Sequence, residues 1–105
     1  TVMENILVAQ PDIAAVFAHN DEMALGALQA IQASGRDILV VGFDATDDAV
    51  AAVNACTMGA TVAQQPSLLG DEAVRAAFEI IGSGAPAETQ NVAVSLQLIT
   101  NADCQ

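Results

Sequence analysis

Short apolar runs alternate along this chain with segments of helical periodicity, and no other property restricts the fold as much. Residues 13–18, 38–43 and 59–63 are apolar almost without interruption, the pattern of strands buried on both faces. Residues 3–10 read as the end of a helix that Pro11-Asp12 stops. Asn20-Asp21-Glu22 opens the next helix: Asn20 can cap it, and two carboxylates sit in its positively polarised first turn. Met23, Ala24, Ala27, Leu28 and Ile31 follow at helical spacing, and Ser34-Gly35 ends the run. Thr46-Asp47-Asp48 caps a helix reaching about residue 55. Residues 66–81 form another, with Ala73, Val74, Ala77, Phe78 and Ile81 on one face and Gly82-Ser83-Gly84 as its stop. Residues 92–100 alternate as a strand with one more polar face. The order α-β-α-β-α-β-α-β predicts an α/β fold: a mostly parallel sheet with helices on both faces, joined by right-handed crossovers.

A chain of 105 residues is enough for one domain and not two, and no linker or low-complexity run divides it. Residues 1–105 are therefore expected to form a single α/β domain. Aromatic residues make up only 3%, so the core is expected to be Ala, Val, Ile and Leu, with Phe17, Phe43 and Phe78 as its only rings.

Thirteen acidic residues stand against Arg36 and Arg75, for a net charge of −11. Such a chain repels nucleic-acid phosphates and anionic membranes, so no nucleic-acid partner is expected. The carboxylates are scattered, which suits solubility. No apolar stretch approaches the roughly 20 residues of a membrane helix. The first residues, Thr-Val-Met-Glu-Asn, hold no basic segment and no signal-peptide core. The chain is then cytoplasmic, or lacks a targeting segment removed from it, or starts inside a larger protein. Cys56 and Cys104 lack metal or redox spacing. They are expected as two isolated buried thiols, with a disulfide as the alternative if the mature chain is periplasmic.

In parallel α/β sheets ligands bind at the C-terminal ends of the strands. That rule selects Asn20, Asp44 and Gln64, each following an apolar run. Amides donate and accept hydrogen bonds and an ionised Asp accepts them, so the set suits a neutral polyol. The same residue types also cap helices and form turns, and both readings stand at this point.

The segments Phe17-Ala-His-Asn-Asp-Glu-Met-Ala-Leu-Gly26, Val40-Val-Gly-Phe-Asp44 and Ala60-Thr-Val-Ala-Gln-Gln-Pro66 closely resemble ribose-binding proteins. These are the type I periplasmic binding proteins that deliver sugars to ABC transporters. The resemblance runs from about residue 2 to 102. It implies an extracytoplasmic protein of two α/β lobes closing on a monosaccharide, with a transporter permease as partner and no cofactor. It also implies that Asn20, Asp44 and Gln64 bond the sugar hydroxyls. A full family member is more than twice this length, and the N-terminal lobe and the start of the C-terminal lobe have no counterpart here. By the same resemblance residues 67–84 are a helix of the lobe that is missing. Its apolar face must pack on this chain's own sheet or on a second copy, so a homodimer is expected.

The remaining chemistry points away from an enzyme. His19 has no nucleophile placed to use it. Asp21-Glu22 and Asp47-Asp48 are adjacent on helices, so they point apart and serve as N-terminal caps rather than a glycosidase pair. Phosphate-binding glycine motifs are absent from the sequence. Two alternatives to a sugar-binding module remain. One is a folded half-protein that dimerises and binds nothing. The other is the effector-binding core of a lactose-repressor-type regulator, which the acidic charge and the missing basic helix-turn-helix oppose.

Overall fold

The structure is a computed structural model that describes residues 2–86 and 88–104. Its elements run α1 (Val2–Ala9), β1 (Ala15–Phe17), α2 (Asp21–Ser34), β2 (Leu39–Phe43), α3 (Asp47–Asn54), β3 (Ala60–Ala63), α4 (Pro66–Ser83) and β4 (Gln97–Ile99), then a 3-10 turn, Ala102–Cys104. They divide into two units. One holds the chain up to Ala63 and from Gln97 on, and the other is Gln64–Leu96.

The first unit is built on a sheet of order β1-β2-β3-β4. The β1–β2 and β2–β3 pairs are parallel, and β4 runs antiparallel to β3. Register places Val16 beside Val40 and Gly42 beside Thr61. Val40, Gly42 and Thr61 are buried on the face that the helices cover: α2 packs on β2, α3 on β3, and α1 and α3 each against α2. The opposite face carries Phe17, Leu39, Val41, Phe43, Val62 and Leu98 by the same register. There Phe17, Leu39 and Leu98 are exposed and the other three half-buried. Helices expected on both faces thus lie, in this unit, on one. Strands β1, β2 and β3 step in one direction across the sheet, and crossovers of one hand leave their helices on the same side.

The core is made of small side chains. Ala24, Ala27, Leu28, Ala30 and Ile31 of α2 join Ile38, Val40, Ala49, Val53, Met3 and Met58 in one cluster. The expectation that the phenylalanines supply its rings is corrected. Phe17 is 57% and Phe78 71% exposed, and Phe43 is half-buried. The bulk comes instead from Met58, which is 2% exposed and whose unbranched side chain fits an alanine-lined space.

Local bonds explain where elements start and stop. The Asn20 Oδ1 accepts from the Met23 N–H at 2.9 Å, and Gly35 ends α2 at φ 68°, as the sequence predicts. The strand expected over residues 13–18 narrows to β1. Its ladder still reaches Ala14, whose carbonyl accepts from the Leu39 N–H, and Ala18, which donates to Val41. Ile13 leaves it because its carbonyl accepts from Arg36. That one guanidinium also donates to the carbonyls of Leu7, Gln10 and Pro11, closing the C-terminus of α1 and the bend after it. Cys56 and Cys104 form a disulfide with Cα atoms 5.3 Å apart. The expectation of two isolated thiols is therefore overturned. The antiparallel return of the chain along β3 brings Cys104 back to the turn after α3.

In the second unit α4 runs two residues beyond the expected stop, through Gly82 and Ser83, and Gly84 ends it at φ 85°. None of its residues is buried, and Val74, Phe78 and Ile81 are exposed. The strand expected over residues 92–100 survives only as β4. Gln65 Nε2 donates to the Ser95 carbonyl at 2.8 Å and to Ser95 Oγ at 2.7 Å across 30 residues of sequence, so Ser95 has a side-chain partner rather than a strand neighbour.

Candidate functional site

Asn20 and Asp44 stand where the strand-end rule put them, after the C-terminal ends of the neighbouring parallel strands β1 and β2. Asn20 is half-buried and already works as a helix cap, so its oxygen is shared with the Met23 N–H. Asp44 is exposed. Its backbone has φ 107° and that of Ala45 φ 54°, values that residues with a Cβ rarely adopt. Gln64 follows β3 directly, is exposed, and belongs to the second unit.

The left-handed turn at Asp44 and Ala45 is held by three successive backbone donors. The Asp44 N–H donates to the Val62 carbonyl at 2.8 Å. The Ala45 N–H donates to Thr61 Oγ1 at 3.1 Å, and the Thr46 N–H to Asp21 Oδ2 at 2.7 Å. Thr61 Oγ1 in turn donates to Asp21 Oδ1 at 2.7 Å, and Thr46 Oγ1 to Asp21 Oδ2 at 3.2 Å. Asp21 and Thr61 are both 0% exposed.

This network corrects two readings. Asp21 is more than a helix-terminal charge: its carboxylate is the buried hub joining α2, β3 and the turn after β2. Thr46 precedes α3 but makes no side-chain cap bond, because its hydroxyl is turned to Asp21. Gly42 shares the crowded space, since a Cβ there would run into Asp21 Oδ1 and come within 2.9 Å of Met58 Cε. Sequence reasoning passed over Thr61, although a signal was present. It is the lone hydroxyl in an otherwise apolar strand, and a buried hydroxyl needs a partner.

The other candidates contribute less. His19 lies edge-on to Phe17, ring centroids 5.9 Å apart, and is exposed. Among the described residues no group of three His, Cys, Asp or Glu side chains could hold a metal ion.

Comparison with known proteins agrees with the fold. The family model for the periplasmic binding protein domain matches residues 1–85. The chain is 62% identical over 81 residues to the ribose import binding protein RbsB of Bacillus subtilis, covering 77% of this chain and 27% of that protein. It is 39% identical over 103 residues to the D-apiose import binding protein of Paraburkholderia graminis, covering 97% of this chain and 33% of that protein. The crystal structure of the Caulobacter myo-inositol binding protein superposes with a TM-score of 0.77 at 38% identity, covering 98% of this chain and 36% of that one. The chain therefore spans about a quarter to a third of the length of these relatives. With the matched sequence, the mostly parallel sheet and the structural likeness in agreement, the chain belongs to the periplasmic binding protein family.

Proposed function

We propose that this chain supplies part of the binding site for a neutral monosaccharide of the ribose kind in an ABC-type import system. The observation that carries the reading is the 62% identity to a ribose import binding protein over 81 residues, while the family-model match over residues 1–85 takes in Asn20, Asp44 and Gln64. Asp44 can accept hydrogen bonds from sugar hydroxyls, and Asn20 can donate while its oxygen caps α2. Gln64 is proposed as a third ligand group on the strength of the family resemblance. The task is binding rather than catalysis, outside the cytoplasm, with a transporter permease as the larger partner. Asp44 and Gln64 are exposed, and small ligands gain affinity through enclosure, so the affinity of this chain alone is expected to be weak.

Calorimetric titration with ribose and then other monosaccharides tests the reading. Saturable heat that vanishes in Asn20→Ala and Asp44→Ala supports it. A folded chain giving no heat with any sugar rejects it for this chain alone.

A homodimer is proposed as well, supported by α4, where Val74, Phe78 and Ile81 are all exposed. Sedimentation velocity over a concentration series decides this: a single monomeric species at every concentration would remove the dimer.

A further inference from the structure

A backbone with positive φ at two successive residues with Cβ atoms does not persist unless its surroundings hold it there. Here the surroundings can be named. The turn residues Asp44, Ala45 and Thr46 each donate a backbone N–H, and the acceptors of the second and third are Thr61 Oγ1 and the Asp21 carboxylate. Those two acceptors are bonded to each other and fully buried. Neither can turn away without leaving a polar atom unpaired inside the protein, a costly state. Asp21 is further confined because β2 passes it at Gly42, where there is no room for a Cβ. The hydroxyl of Thr61 has its only proton on Asp21 and accepts the Ala45 N–H, so each bond in the relay requires the next.

We propose that Asp21 and Thr61 are positioning residues: their buried pair fixes the left-handed turn over Asp44 and Ala45 and thereby sets where the Asp44 carboxylate stands. The sugar-binding reading of Asp44 underlies the purpose of this device, whereas the device itself is a property of the folded chain and can be measured without a ligand.

The test compares Thr61→Val, which keeps the shape and removes the hydroxyl, with Thr61→Ser, which keeps the hydroxyl. Backbone amide hydrogen exchange is followed at Ala45 and Thr46, with Ile31 and Val53 as core references. The intraresidue N–H to Hα Overhauser effect at Asp44 and Ala45 reports positive φ. In Thr61→Val the Ala45 and Thr46 amides should exchange about tenfold faster or more relative to the references, and the positive-φ signature should weaken. Thr61→Ser should keep both. Asp21→Asn should expose the Thr46 amide in the same way. It carries the test with Thr61→Ser if Thr61→Val does not fold. Unchanged exchange at Ala45 and Thr46, or an equal change at every amide, overturns the proposal, because a merely structural role acts globally. Ribose titration of the same variants separates the two readings. If the unaltered chain binds, Thr61→Val should lose about tenfold in affinity and Thr61→Ser should not, and equal affinities would overturn positioning. If the unaltered chain gives no heat, the sugar reading fails by itself and the exchange result decides the proposal.

Discussion

The Asp21 carboxylate and the Thr61 hydroxyl meet at 2.7 Å across 40 residues of sequence. One belongs to the first turn of α2 and the other to β3, and β2 runs beside Thr61 with Gly42 in register. A helix and a strand are thus tied by one buried polar contact beside a second strand. Its oxygens all have partners, so the polar burial costs little. Nearby, Ala24 and Met58 fill the apolar space.

Gly42→Ala is expected to destabilise the chain by about 1–3 kcal/mol, since the added methyl overpacks against Asp21 and Met58. Urea denaturation measures the loss. A neutral result would mean that Asp21 moves aside freely.

Asp44→Gly should separate stability from binding. Glycine adopts φ 107° without steric cost, while its looser unfolded chain offsets part of the gain. Relief of the positive φ is set against the loss of the side chain's own interaction, so thermal or urea denaturation is expected to show a change of no more than about 1 kcal/mol. Sugar heat, where the unaltered chain gives it, should be lost. A clear destabilisation would show that the Asp44 side chain is structural.

Arg36→Ala removes the donors to four carbonyls that close α1 and the following bend. A loss of about 2 kcal/mol is expected, with Arg36→Lys falling between, because an ammonium cannot spread its donors over so many acceptors. Hydrogen exchange should place the damage in residues 2–13. Damage spread evenly over the sheet would contradict this local role.

Reducing the Cys56–Cys104 bond should lower stability by about 2–4 kcal/mol. Denaturation curves with and without reductant, and of Cys104→Ser, measure it. Coincident curves would mean that the unfolded chain is not restrained by the link.

Much of this was legible in the residues. The strand ends at Asn20 and Asp44 follow from apolar runs interrupted by caps, and Asn20 and Gly35 bound α2 as their chemistry dictates. What escaped lies in contacts between distant segments. Periodicity cannot reveal that Asp21 bonds Thr61, because helix-end charge accounts for an Asp at that position equally well. It cannot reveal that Gln65 takes Ser95 out of a strand, nor that Cys104 returns to Cys56. Phe17 and Phe43 were misplaced for a related reason: hydrophobicity predicts that a ring prefers burial, while the direction of the crossovers determines which sheet face has anything to bury it.

The disulfide encloses more than a turn. It joins residues 48 apart in sequence, and the whole of Gln64–Leu96 lies between them. A protease that cuts this stretch once would yield two polypeptides still linked as one molecule, migrating at full mass until reductant is added. The piece carrying β4 would remain tethered to the piece carrying β3, its antiparallel partner. Such a nick would open the backbone of the excursion without releasing the strand that completes the sheet.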